Sequence, residues 1–161
     1  MRTAVVFYSM SGNVKQTAQI IAEKLSADLI EIKPEKTYPD KGFRKFFWGG
    51  KSAVMGEKPK LVPYEIDFEK YDCIILGSPV WASNIAPPLR TFAEDNKSAL
   101  SKKQICAFMC MSGSGGDKAL EKLKKLLEIS AYKAEAVLID PKDKPAHEIE
   151  TIINEFCDKL L

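Results

Sequence analysis

The stretch Phe7-Tyr8-Ser9-Met10-Ser11-Gly12-Asn13-Val14-Lys15-Gln16-Thr17 sets two hydroxyls, a carboxamide and one glycine between two apolar patterns. Before it runs Ala4-Val5-Val6-Phe7, short and β-branched, which reads as a strand; after it Ile20, Ile21 and Leu25 recur on one helical face. A strand that turns through small polar residues into a helix suits an anion. The first backbone N–H groups of the helix have no internal partner and point at the ligand, and the aligned peptide dipoles favour negative charge. Ser9, Ser11 and Asn13 add hydrogen-bonding side chains, and Gly12 lets the backbone come close. Two readings stand side by side: a phosphate cradle, and an ordinary helix cap, since Ser and Asn are favoured there in any case.

Two later stretches bear on the choice. Gly77-Ser78-Pro79-Val80-Trp81 follows the apolar run Cys73-Ile74-Ile75-Leu76 and reads as a rigid turn carrying a large aromatic face, with Ser78 held extended by the proline after it. Its tryptophan either stacks on a planar ring or covers the top of the core. Ser112-Gly113-Ser114-Gly115-Gly116 follows Ile105–Cys110 and either exposes backbone to a ligand edge or makes a plain strand-to-helix turn. Other chemistries find little support. Cys73, Cys106, Cys110 and Cys157 form no CxxC pair and no metal-ligand spacing, so they read as core thiols; Cys106 and Cys110 share one strand face too far apart to bond. No catalytic residue and no metal site is expected. The one histidine, His147, falls in the expected helix near the C-terminus and reads as a solvated surface residue, giving little support to a Ser/His/Asp arrangement.

The elements that must position these loops follow from periodicity. Strands are expected at 2–8, 29–32, 73–76, 105–110 and 136–139, and helices at about 13–26, from Pro87 to near Ser98, over Leu120–Leu127, and from about Lys144 onward. Five apolar strands alternating with helices imply a parallel sheet covered on both faces, a three-layer α/β sandwich. Right-handed crossovers leave few topologies, and five strands suit the order 2-1-3-4-5, whose ligands bind beyond the carboxyl ends of the strands where strands one and three diverge. Those ends carry the three loops 9–14, 77–84 and 112–116. A phosphate at one end and a flat heteroaromatic ring between two further loops describes flavin mononucleotide, FMN. The chain reads as one domain, 1–161, with an insertion at about 36–65 between the second and third strands.

Ser-Met-Ser-Gly-Asn-Val-Lys after the first strand resembles the phosphate loop of the flavodoxin family, Ser/Thr-x-Thr/Ser-Gly-Asn-Thr. Gly77 to Trp81 followed by Pro87-Pro88-Leu89, and Ser112 to Gly116, are similar to the second and third loops of its short-chain members. The resemblance spans nearly the whole chain with the motifs in order. It implies a flavodoxin-like fold and tight, non-covalent FMN: phosphate held by Ser9, Met10, Ser11, Gly12, Asn13 and Val14, the ring flanked by Ser78, Pro79, Val80 and Trp81 and edged by Ser112, Gly113, Ser114, Gly115 and Gly116. One departure is Val14 where the family usually has Thr. A hydroxyl is lost while the backbone N–H stays, which costs about 1 kcal/mol of binding or somewhat more to a charged partner. Neighbouring folds are set aside by what is missing. There is no Cys-x5-Arg phosphatase loop, no acidic cluster of a receiver domain, and no GxGxxG after the first strand.

The small single domain and the absence of an evident acid/base residue in the loops favour an electron-transfer flavoprotein. An FMN-dependent NAD(P)H:quinone or nitro/azo reductase and a redox-responsive flavin-binding regulator are the alternatives, and fold alone does not separate them. Its partner would be a redox protein or a small-molecule acceptor, with NAD(P)H one candidate. A net charge of +2 argues against nucleic acid, and no apolar run approaches the roughly 20 residues a membrane helix needs. With no apolar leader at the N-terminus, a cytoplasmic location is expected. Charge is uneven: Lys41, Arg44, Lys45, Lys51, Lys58 and Lys60 against Glu57 give residues 41–60 a net +5 and leave −3 elsewhere. That segment reads as a docking lid, or as Phe43, Phe46, Phe47 and Trp48 packed on the sheet edge with lysines in solvent. Strongly acidic flavodoxins disfavour the reduced anion; here only Asp117 neighbours the third loop, so a less negative low potential is expected.

Overall fold

Every residue of β1 (Thr3–Phe7) is buried, as an apolar strand covered on both faces must be. The computed structural model describes residues 1–38 and 58–161, so the expected helical face at Phe43, Phe46, Phe47 and Trp48, and most of the basic segment, lie outside the described residues. From β1 the chain passes into α1 (Asn13–Leu25), β2 (Asp28–Glu31), a short 3₁₀ turn (Phe68–Lys70), β3 (Cys73–Trp81), β4 (Asn84–Ile85), α2 (Pro87–Asp95), α3 (Lys97–Leu100), β5 (Gln104–Met111), α4 (Gly116–Leu127), β6 (Glu135–Ile139) and α5 (His147–Asp158).

The sheet runs β2-β1-β3-β5-β6, parallel at every one of these pairings, which is the expected 2-1-3-4-5 order of the five long strands. β4 is an addition: two residues that fold back antiparallel on the end of β3, with Val80 opposite Ile85 and Trp81 opposite Asn84. Alternation along the strands divides the core in two. Ala4, Val6, Ile74, Leu76, Ala107 and Met109 face a layer built from Leu89 and Phe92 of α2 and Leu120 and Leu123 of α4. Val5, Phe7, Ile75, Cys106, Phe108 and Cys110 face Val14, Ala18 and Ile21 of α1 and Ile153 and Phe156 of α5. These are the two helical layers of the expected sandwich.

Several boundaries differ from the periodicity reading. β3 does not stop at Leu76: Gly77 to Trp81 remain paired, Gly77 with Phe7 and Phe108, and Ser78 and Pro79 with Met109 and Cys110. The expected rigid turn is therefore strand, because β5 continues alongside and supplies partners. The helix begun at Pro87-Pro88 ends at Asp95 rather than near Ser98, with α3 following as a separate turn. α5 starts at His147, not Lys144. Residues 58–68 lie against α2. Thr91 Oγ1 donates to the Pro59 carbonyl at 3.0 Å, and the Tyr64 and Phe68 rings tilt on Phe92 at 5.4 and 6.4 Å. The chain leaving β2 and the chain returning run side by side, Glu35 N–H to Lys60 O and Val62 N–H to Lys33 O, both at 2.8 Å.

Candidate functional site

At the start of α1 the cap residue is Gly12, whose φ of +99° is a left-handed geometry open to glycine and strained for other residues. The capping hydroxyl comes from six residues upstream of its donor: Ser9 Oγ accepts the Lys15 N–H at 3.1 Å. The N–H groups of Asn13 and Val14 have no partner among the described residues, so two donors at the positive end of the helix face outward together. Ser11 is exposed, and its Oγ takes a long contact of 3.4 Å from Asn13 Nδ2. Val14 is 1 % exposed and its side chain belongs to the core beneath the loop, so a threonine there would trade core packing for a hydroxyl.

These residues form one wall of a cleft of about 220 Å³ at the carboxyl edge of the sheet. Ser9, Met10, Ser11, Asn13 and Val14 line it on one side, Pro79, Val80 and Trp81 on a second, and Ser112, Gly113 and Ser114 on a third. The three loops do converge. Four of the expected contact residues stand elsewhere. Gly12 shapes the turn behind the wall. Ser78 is fully buried with its hydroxyl turned inward, accepting the Ala86 N–H at 2.9 Å and donating to the Pro79 carbonyl at 2.8 Å, which fastens the end of β3 to the start of α2. Gly115 caps α4 at φ +95° with Ser83 packed against it, and Gly116 is buried against Val137 and Met111.

The second wall is a tight hairpin. Ala82 and Ser83, the two residues between β3 and β4, have φ of +50° and +61°, the geometry of a type I′ turn without the Asn or Gly it prefers. Asn84 Nδ2 ties it by donating to the Ala82 carbonyl at 2.7 Å. Trp81 is half-buried: it lines the cleft, and its ring meets Tyr8 edge-on at 5.8 Å and Tyr38 at 5.2 Å. The tryptophan covers the top of the core with two tyrosines, as one of its two readings has it, and also leaves surface to the cleft. Burial first, and Tyr38 beside it, raise the Tyr8 phenol above its ordinary range, so it stays a neutral donor.

Sequence reasoning missed a fourth contributor, the chain after β6. Asp140, 8 % exposed and at φ +42°, enters the cleft and accepts the Ser112 hydroxyl at 2.8 Å, with Lys144 Nζ at 3.4 Å from its other oxygen. The expectation that Asp117 is the only acid beside the third loop is thereby corrected: Asp117 sits exposed in the first turn of α4, while Asp140 is in the wall. Beyond it, the Lys142 N–H donates to Asn13 Oδ1 at 2.8 Å and Asn13 Nδ2 donates to Asp143 Oδ2 at 3.2 Å. The signal was present in Asp140-Pro141, a strand end followed by proline at the same edge of the sheet as the other loops. Ala82, Cys110 and Met111 complete the lining. The Cys110 thiol, pushed up to about 12 by burial, stays protonated; its sulfur lies 3.7 Å from Thr17 Oγ1. Cys73 and Cys106 sit 3.7 Å apart as free thiols, and sharing that contact and burial drive Cys106 far up. All four cysteines are buried and unbridged, and no metal-ligating cluster occurs among the described residues.

Chains of known structure share this fold. A flavoprotein from Lactobacillus acidophilus, crystallised in complex with FMN, is 22% identical and superposes at a TM-score of 0.71, covering 94% of this chain and 97% of that one. A Bacteroides eggerthii chain described as a flavoprotein is 19% identical with a TM-score of 0.77, covering 96% and 97%. A Streptococcus pneumoniae flavodoxin is 17% identical with a TM-score of 0.60, covering 99% and 97%. At these identities the likeness is one of fold. The sequence itself carries the rest of the argument: the family model for flavodoxin matches residues 2–156, from the first strand into the last helix. With the three loops meeting at the switch point of a 2-1-3-4-5 sheet, this chain belongs to the flavodoxin family.

Proposed function

We propose that this protein binds FMN non-covalently in the cleft and serves as an electron carrier, exchanging electrons with a redox protein or a small-molecule acceptor. The observation that carries the reading is the pair of open N–H groups at Asn13 and Val14, set at one end of a cleft whose other walls are Trp81 and the backbone of Ser112-Gly113-Ser114. The donor set fits the cofactor's chemistry: helix-end amides and hydroxyls for a phosphate, an aromatic face and polar backbone for a flat heterocycle. The family match and the FMN complex of the Lactobacillus acidophilus flavoprotein support the same cofactor.

Bound FMN supplies the redox chemistry, and the chain holds and tunes it. Asn13, Val14 and the Ser11 hydroxyl would hold the phosphate, with Ser9 spent on keeping the helix end in shape. Val80 and Trp81 would flank the ring, and Ser112 and Ser114 would meet its polar edge. Asp140 is the one carboxylate lining the cleft among the described residues, and both its oxygens are engaged, by Ser112 and Lys144. That suits a charge that tunes a potential better than a proton donor in a turnover cycle. The testing experiment is the visible spectrum of the purified protein with added FMN, then anaerobic NADPH, then dithionite. Flavin bands that persist through desalting, ignore NADPH and bleach with dithionite are expected. Bleaching by NADPH alone would replace the carrier by a reductase, and no retained flavin would overturn the cofactor.

A further inference from the structure

Beside the phosphate wall, outside the residues that line the cleft, stands an exposed cation with no ion-pair partner among the described residues. Lys142 lies in the turn after β6, and its stem crosses directly over Gly12: a Cβ built on that glycine would meet Lys142 Nζ at 3.1 Å and its Cδ at 3.3 Å. The ammonium donates to the Ser11 carbonyl at 3.3 Å, while the Lys142 backbone N–H holds Asn13 Oδ1 at 2.8 Å. The carboxylates around it are committed elsewhere. Asp140 is paired with Lys144 and bonded by Ser112, and Asp143 accepts from Asn13 Nδ2. Among the described residues Lys142 makes no ion pair, and the remaining donors of its ammonium are open. An ammonium without an ion-pair partner among the described residues therefore stands over the loop that carries the two open amides of Asn13 and Val14.

We propose that Lys142 is a specificity residue that selects the phosphorylated flavin over the uncharged one. The inference rests on the FMN reading above and adds to it a fourth segment, 140–143, that the three-loop pattern does not contain. Two effects act together. The ammonium adds a full charge to a helix end that otherwise offers only partial charges, and charge-assisted contacts are about twice as strong as neutral ones. The Lys142 backbone and Asp143 hold the Asn13 carboxamide by both its ends, so the loop is set in place before the ligand arrives. Riboflavin, with no phosphate, gains only the second. The same cation compensates for the hydroxyl missing at Val14.

The test is flavin-fluorescence titration of wild type, Lys142→Gln and Lys142→Arg with FMN and with riboflavin, repeated from low to moderate salt. Gln is expected to weaken FMN about five- to tenfold, the size of one lost charge-assisted contact, and to leave riboflavin within about twofold. It should also flatten the salt dependence of the FMN constant, and Arg should restore most of both. Equal losses for the two flavins would reduce Lys142 to a structural brace and overturn the proposal, as would an unchanged FMN constant with an unchanged salt slope. Wild type binding neither flavin is a different result: it removes the cofactor reading itself, and this inference with it.

Discussion

Single side chains at the cleft have separable jobs. Ser9 caps α1 through the Lys15 N–H, so Ser9→Ala should cost about 1 kcal/mol, read as a lower urea midpoint of the flavin-free protein with an unchanged slope. Asp140 places a carboxylate within the wall, held by Ser112. On the FMN reading, Asp140→Asn removes a negative charge that opposes electron uptake, and a potentiometric titration of the bound flavin should move to less negative values; no shift would take Asp140 out of the tuning role. Gly77 lies where β3 passes Phe108, and a Cβ there would come within 2.3 Å of that ring. Gly77→Ala should therefore destabilise by about 1–3 kcal/mol through overpacking beneath the cleft floor, measured by denaturant unfolding.

At the scale of elements, the β3–β4 hairpin is the part whose local sequence disagrees with its geometry. Both turn residues, Ala82 and Ser83, are left-handed without being Gly, Asn or Asp, and such conformations cost about 1–2 kcal/mol each. Replacing the pair by Asn-Gly should raise the thermal midpoint by several degrees. If it lowers the midpoint instead, the turn is not strained. The hairpin is held by Trp81 against Tyr8 and Tyr38 and by Ser78 on the Ala86 N–H, so strain is retained where surrounding contacts over-determine it. The hairpin so braced forms one wall of the cleft. It was also the least legible element: Gly-Ser-Pro reads locally as a turn, and only the partners supplied by β5 keep it in the sheet.

For the molecule as a whole, the two cores protect every thiol and several phenols. None of the four cysteines should react with a thiol reagent at pH 8 in the native state, and all four should in guanidinium. Cys110 is pushed up to about 12 from an ordinary value near 9 by burial, and burial also raises Tyr8 and Tyr132. A group whose folded pKa lies above its unfolded one binds more protons when folded, so its contribution is complete below about pH 9 and is lost as pH climbs toward 12. The urea midpoint should accordingly fall above pH 9, less steeply in Cys110→Ala. No helix among the described residues is long and apolar enough to cross a membrane.

The architecture was written in local pattern. Apolar runs of strand length alternating with amphipathic helices admit little but a doubly covered parallel sheet, and right-handed crossovers leave few orders for it; Val5, Phe7 and Ile75 fall on one face and Ala4, Val6 and Ile74 on the other by alternation alone. That the loop at the start of α1 would line the cleft was legible for the same reason, since a helix start advertises its open amides in its own sequence. What local pattern does not carry is which groups meet across the chain. That Ser78 turns inward to Ala86 follows from the antiparallel return of β4 on the end of β3, and that Gly116 packs on Val137 and that Asp140 and Lys142 arrive at loops more than twenty and one hundred residues earlier follow from the parallel stacking of β5 against β6 and of α5 beside α1. The sequence by itself determined the fold class and the kind of ligand its first loop suits. Only the packing of distant strand ends decided which side chains face that ligand and with what charge.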